Sequence, residues 1–325
     1  MSGADPARVP LVDVHAHFLT DRYIQEATAA GHAQPDGAPG WAGWSAAQHL
    51  ELMDQWGIAA SVLSISSPGV SFGSPEASRL LARHINETGA ELRRAHPGRF
   101  GHFASLPLTD IDHALAELEY ALDQLGADGV TTESNLGGRY LGNPHFAPLL
   151  AELDRRATPV FVHPTSPPNA KDVALGLPSA VLEFPFETTR TVADLGIHQR
   201  FLSYPRIPWI FTHGGGALPL LTDRLEFFRS AFAGPEDTTT PLTEQVARLW
   251  FDMAGTPFPH QIPGLVQAFG SEHVLYGSDY CWTPPPFVAA QLASLESAAQ
   301  PEGDTWRALT TRNAQRLFPR LKGLA

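Results

Sequence analysis

Apolar residues along this chain fall into two rhythms that take turns. Short runs rich in β-branched and aromatic residues recur at 11–17 (LVDVHAH), 61–66 (SVLSIS), 99–106 (RFGHFASL), 129–134 (GVTTES), 159–165 (PVFVHPT), 209–215 (WIFTHGG), 249–255 (LWFDMAG) and 273–279 (HVLYGSD). Each reads as a strand. The stretches between them, such as 46–57, 75–96, 110–126 and 146–157, repeat apolar residues at i, i+3 and i+4, the spacing of one buried helix face. Strand alternating with helix predicts parallel strands joined by helical crossovers. Several of the strands are nearly continuous apolar runs, as covering on both faces requires, and eight of them close into a (β/α)8 barrel of TIM type. We expect an α/β fold in which residues 1–325 form one domain, a length that such barrels commonly occupy. Three long, Pro-rich, loop-like stretches at 31–45, 164–186 and 281–287 follow the first, fifth and eighth strands, on the face where barrel loops build active sites.

Residues able to bind a metal gather at one end of these strands. His15 and His17 stand two apart on the first strand, so their side chains share a face at the barrel mouth. His163 ends the fifth strand, His213 the sixth and Asp279 the eighth. A buried imidazole costs free energy unless it is hydrogen-bonded or coordinated, and four at strand ends are hard to explain as core. Imidazole with carboxylate suits zinc, manganese, iron or cobalt in the divalent state, and three or four protein ligands with one open position describe a catalytic centre. We expect one divalent ion, zinc ahead of manganese, and no organic cofactor. A bridging carboxylated lysine, which binuclear barrel hydrolases often need, has no place here: Lys171 and Lys322 are the two lysines, and strand 4 holds neither.

His213 is followed by Gly214, Gly215 and Gly216, which permit close backbone approach, and we assign it acid–base chemistry. Trp41, Trp44, Phe72, Phe184, Phe186, Tyr280 and Trp282 populate the mouth loops and suit a flat, aromatic substrate. His32, His49, His84, His96 and His113 read as solvated surface.

Composition narrows the partners. Acidic residues (34) outnumber Lys and Arg (22), and the formal net charge of -12 argues against nucleic acid or an anionic membrane surface as partner. The start, MSGADPARVP, lacks an apolar signal core, and no segment approaches the length of apolar chain a bilayer requires, so a cytoplasmic protein is expected. Cys281 is the one cysteine, which excludes an internal disulfide and a thiolate metal cluster.

With these residues in place, the chain resembles the amidohydrolase superfamily, and within it the aminocarboxymuconate-semialdehyde decarboxylase-like family of metal-dependent decarboxylases. DVHAH, PVFVHPT, FTHGGGALP and VLYGSDY match that family's motifs on strands 1, 5, 6 and 8 in order, and LEFPFETTRT (182–191) matches its stretch between strands 5 and 6. SISSPGV and EFPFETTRT look most like the 6-methylsalicylate decarboxylase-type branch. The resemblance implies that His15, His17, His163 and Asp279 are metal ligands and that His213 is the catalytic histidine. It also implies that Arg224, eleven residues after His213, reaches the substrate carboxylate in a neighbouring subunit, and hence a homodimer. One feature departs from the semialdehyde decarboxylase pattern: no Arg lies between Arg22 and Arg79, so a second carboxylate-binding arginine after strand 1 is missing and a muconate diacid is a poor substrate.

The expected reaction is non-oxidative decarboxylation of a hydroxylated, salicylate-like aromatic acid, with Asp279 the favoured proton donor, held by His213, and Phe184, Phe186, Trp44 and Trp282 around the ring. The rival reaction is hydrolysis of a lactone or amide by a metal-activated hydroxide, for which the same ligands would serve. A non-catalytic metal-binding scaffold is the rival outside enzymology, and an open coordination position argues against it.

Overall fold

The computed structural model describes residues 9–232 and 240–321. Eight parallel strands form its centre: β1 (Leu11–His17), β2 (Ile58–Ser64), β3 (Phe100–Ser105), β4 (Gly129–Glu133), β5 (Val160–His163), β6 (Trp209–Phe211), β7 (Trp250–Asp252) and β8 (Val274–Leu275). They are hydrogen-bonded in sequence order. The ring closes between the last and first strands, where Asp13 bridges to Tyr276 and Ala16 to Tyr280 in parallel fashion. The Val14 N–H donates to the Tyr276 carbonyl at 3.0 Å across that seam. The expected (β/α)8 barrel is present.

The helices that face the strands are α1 (Asp21–Ala29), α2 (Ala46–Trp56), α3 (Pro75–Ala95), α4 (Ile111–Asp123), α5 (Ala147–Arg156), α6 (Glu183–Ile197), α7 (Leu218–Phe232), α8 (Ile262–Phe269), α9 (Pro285–Ser297) and α10 (Trp306–Leu317). Their starts follow local rules. Ser45, Ser74, Asp110 and Thr305 each accept a backbone N–H from the first turn of α2, α3, α4 and α10. On α3 the buried positions Ser78, Leu81, Ala82, Ile85, Asn86, Gly89 and Ala90 trace one stripe.

Two apolar layers result. Phe100, Val160, Val162, Phe211 and Tyr276 face the helices, while Val12, Val14, Val62, Phe103, Phe161, Ile210 and Leu275 form a separate cluster with Phe318 and Leu321. That second cluster fills the barrel and leaves its upper end to polar side chains.

The strand boundaries differ from the expected ones for physical reasons. Strand β2 begins at Ile58 because Gly57, with φ 65°, ends α2 and turns the chain directly into the ladder. Strand β6 is shorter because the chain leaves the ladder in a left-handed turn at His213 (φ 52°), while β8 is confined to Val274–Leu275 and the chain beyond it meets β1 through the bridges at Tyr276 and Tyr280. In β1 the register against β2 slips between Asp13 and Ala16. The irregularity lets Val14 join the interior cluster below while His15 and His17 serve the mouth. The loop-like stretch 164–186 contains a helical turn at Ala170–Val173 and the first residues of α6, and 281–287 contains the start of α9.

Candidate metal centre and active site

Burial brings His15, His17, His163 and Asp279 together at the top of the barrel. One ligand-capable atom from each lies within 4.8 Å of all the others. The two imidazoles of β1 face each other with Nε2 atoms 3.0 Å apart. Asp279 Oδ1 is 3.4 Å from His15 Nε2 and 3.2 Å from His17 Nε2.

The outer nitrogens settle which lone pairs point inward. His15 Nδ1 lies 2.8 Å from Asp252 Oδ2, and an ionised carboxylate can only accept, so Nδ1 carries the proton. His163 Nδ1 likewise donates to the Pro164 carbonyl at 2.7 Å. His17 Nδ1 lies 3.0 Å from Ser64 Oγ. This leaves Nε2 lone pairs and a carboxylate oxygen facing one small buried space, an arrangement that repels itself unless a cation or a proton sits between. Burial disfavours the charged form of His15, yet the charges of Asp252 and Asp279 outweigh it and lift its pKa to about 10 in the metal-free chain. Burial pushes His163 far below its ordinary value, with the charges of His17 and His15 adding to the effect. The donor set fits a divalent cation.

Asp252 was not among the residues singled out from sequence. It is fully buried at the end of β7. Besides orienting His15, its Oδ1 accepts the N–H groups of His213 at 2.9 Å and Ala254 at 3.0 Å. One carboxylate thus holds both a candidate ligand and the neighbouring histidine. An aspartate interrupting the apolar run LWFDMAG was the available signal. Gly277 makes the approach of β8 feasible, since a Cβ there would sit 2.6 Å from His15 Cβ.

His213 stands beside the cluster with Nε2 3.7 Å from Asp279 Oδ2 and Nδ1 3.0 Å from Thr212 Oγ1. Both His213 and Asp279 occupy left-handed backbone, which costs about 1–3 kcal/mol for each such residue and persists only where the surroundings impose it. The run Gly214, Gly215 and Gly216, at φ 60°, 72° and 64°, continues that turn.

Above the cluster opens a cavity of about 330 Å³ whose lining includes Asp36, Ser67, His163, Phe184, His213, Asp279 and Trp282. Its size suits a small aromatic molecule. Trp282 is fixed by an Nε1–H bond to Ser66 Oγ at 2.6 Å, and Phe184 stands edge-on to His163 at 5.8 Å. Trp44 and Phe186 do not line this cavity. Trp44 packs on Phe18 and donates to His49 Nδ1 at 3.1 Å, and Phe186 is exposed on α6. Arg224 lies exposed on α7, its guanidinium 4.8 Å above the Phe228 ring. His49 corrects an expectation: it is fully buried under the mouth, 4.8 Å from the Tyr280 ring, because α2 turns it inward. Burial lowers its pKa to about 3 and keeps it neutral.

Glu133, at the end of β4, lines a second cavity of about 190 Å³ with Gly69, Phe72 and Thr132. Burial, aided by the charge of Asp36, raises its carboxyl to about 8 from 4.5. Between those values the folded chain keeps a proton that the unfolded chain has released, so the contribution to stability falls as pH rises from 4.5 to 8. Tm measured across that range should decline more steeply in the wild type than in Glu133→Gln, and parallel curves would refute the assignment.

A closed parallel barrel with three imidazoles, one carboxylate and an adjacent fourth histidine at the C-terminal mouth defines a metal-dependent barrel enzyme with a single metal site. The sequence comparisons agree with that class. The amidohydrolase family model matches residues 12–320, and the chain belongs to that family. It is 36% identical over 326 residues to a 6-methylsalicylic acid decarboxylase of Aspergillus aculeatus, covering 96% of each chain. A crystal structure of an amidohydrolase II superposes with a TM-score of 0.89 at 31% identity, covering 95% of this chain and 99% of that one. The 5-carboxyvanillate decarboxylase of Novosphingobium aromaticivorans, solved with manganese and a nitrobenzoic acid, shares the fold with a TM-score of 0.83 at 22% identity, covering 95% of this chain and 96% of that one.

Proposed function

We propose that this protein is a metal-dependent, non-oxidative decarboxylase of hydroxylated aromatic carboxylic acids, a carbon–carbon lyase. The observation that carries the reading is the buried His15–His17–His163–Asp279 cluster opening directly into a cavity walled by Phe184 and Trp282. Similarity over nearly the whole chain to a 6-methylsalicylic acid decarboxylase supports it. The reading places the metal on those four residues, zinc ahead of manganese because three imidazoles and one carboxylate suit it. When bound, the ion supplies positive charge that holds and orients the substrate carboxylate.

The chain's own groups then manage one proton. The ring carbon bearing the carboxylate takes a proton, the carbon–carbon bond breaks, its electron pair returns to the ring, and carbon dioxide leaves. Asp279 is the proposed donor through Oδ2, the oxygen that faces His213 Nε2 at 3.7 Å. Burial alone would raise its carboxyl, but His15, His17 and His213 outweigh it and hold it well below its ordinary range, so the proton it passes on comes through His213. His213 holds that proton in place and renews it. Phe184 and Trp282 sandwich the ring and exclude water. Release of one carbon dioxide per phenol formed from a salicylate-type acid tests the reading, and turnover on lactones or amides with none on such acids would replace it with hydrolysis.

The reading extends to a homodimer in which Arg224 of one subunit serves the other's site. Leu220, Phe227 and Phe232 on the same helix are 85%, 67% and 83% exposed, an apolar face suited to burial against a second copy. A guanidinium grips a carboxylate through two parallel hydrogen bonds, which a lysine cannot imitate. Mixing inactive His213→Ala chains with inactive Arg224→Ala chains should restore activity, since a heterodimer joins one intact His213 to one intact Arg224. No recovery after chain exchange has been verified by mass removes Arg224 from the site.

A further inference from the structure

We infer that Asp36 is a specificity-determining residue that accepts a hydrogen bond from a hydroxyl on the substrate ring and rejects a second carboxylate at that position. The inference rests on the decarboxylase reading for its substrate class and on the cavity for its geometry.

Asp36 sits in the long loop between α1 and α2, in left-handed backbone with φ 52°. Aspartate tolerates that conformation better than most residues. It is held from several sides. Its Oδ1 accepts the Ser166 N–H at 3.1 Å and the Ser166 hydroxyl at 2.5 Å, and its backbone carbonyl accepts the Ser179 N–H at 2.8 Å. These bonds tie the loop after β1 to the segment after β5 and leave the carboxylate no freedom to swing. Among the described residues no hydrogen bond reaches the second oxygen, Oδ2, and the wall of the substrate cavity that Asp36 lines contains no Lys or Arg.

The other polar groups in that wall have different assignments. His163 and Asp279 belong to the metal cluster, His213 stands beside Asp279, and Ser66 accepts from Trp282. Ser67 Oγ is 2.6 Å from Thr165 Oγ1, and Thr283 Oγ1 donates to Asp279 Oδ2 at 3.5 Å. Asp36 is therefore the anionic acceptor in the wall that has no other task than holding its loop. A phenolic hydroxyl donating to Oδ2 gains a charge-assisted bond, a methoxy group at the same place cannot donate, and a carboxylate would be repelled without a cation to offset it. This supplies a physical reason for a mono-acid preference that does not depend on which arginines are missing.

Asp36→Asn isolates the effect, because asparagine also tolerates left-handed backbone and its Oδ1 keeps both bonds from Ser166, while Oδ2 becomes an NH2 donor. The test uses metal-loaded enzyme and matched pairs of salicylate-type acids that differ by a hydroxyl or a methoxy at one further ring position. For the wild type, kcat/KM should favour the hydroxy member at one position by about 10- to 100-fold, the size expected for a hydrogen bond to a charged group. Asp36→Asn should shrink that ratio to near unity while leaving the pairs at other positions unchanged. A loop-staple role alone would slow both members equally and keep the ratio, which would overturn the inference. The corresponding nitro analogues, which cannot lose carbon dioxide, are measured in parallel by calorimetric binding. If no acid is turned over, the decarboxylase reading fails, and the ratio of binding constants in wild type and Asp36→Asn still decides for or against Asp36.

Discussion

His163→Ala is expected to bind metal at least about 100-fold more weakly and to lose measurable turnover, since even residues outside the coordination shell cost 10- to 100-fold when they are removed. The expectation follows from position. His163 ends β5 with its Nδ1–H committed to the Pro164 carbonyl at 2.7 Å, which leaves Nε2 to the cluster, and His213, the neighbouring imidazole, lies outside the four-residue group. Alanine leaves two imidazoles and one carboxylate around a site that has gained a cavity. Elemental analysis after dialysis, alongside Tm, separates metal loss from unfolding. A folded His163→Ala protein that retains wild-type metal content would remove His163 from the coordination set.

His213→Ala should give the opposite pattern, with metal retained and turnover reduced by about 10²- to 10⁴-fold, the range for losing a positioned proton-transfer group. The geometry distinguishes the two histidines. His213 Nε2 reaches Asp279 at 3.7 Å but lies outside the four-residue group, and its backbone N–H rests on Asp252. Because His213 adopts φ 52°, alanine adds a backbone penalty, and His213→Asn, which tolerates that conformation, serves as the control. Both variants should hold one metal per chain. Equal metal loss in both would move His213 into the coordination shell.

Much of this site is legible in the sequence, because strand ends carry their chemistry there: an apolar run stops, a histidine or aspartate follows, and Gly or Pro turns the chain away. His163 before Pro164 and His213 before Gly214 follow that pattern in full, His15 and His17 share one face of the first strand, Asp279 closes the last run before Tyr280, and the structure gathers all five at one mouth. What stayed hidden depends on where helices and loops dock. His49 reads as surface by residue type, yet it stands at i with Leu52 and Met53 at i+3 and i+4 on the inward face of α2, where Phe100 and Tyr280 bury it. Asp252 looked like part of a strand, and its role appears only once β7 stands next to both His15 and His213. Trp44 and Phe186 sit near the mouth in sequence, but Trp44 supports α2 and Phe186 points outward. Asp36 belongs to a loop whose course is set by Ser166 and Ser179, more than a hundred residues away along the chain.

The closing seam of the barrel gives the order of synthesis a physical meaning. The cluster draws His15 and His17 from the first strand and Asp279 from the turn after the last, and the Asp279 N–H donates to the His15 carbonyl at 2.8 Å across that join. During translation the two histidines emerge long before their carboxylate partner exists. A growing chain therefore offers a metal only a two-histidine arm, and later a third imidazole, until the eighth strand arrives and the ring shuts. On the proposed metal site, tight binding waits until the barrel is complete, and the ion would then act as a clasp on the joint that was made last.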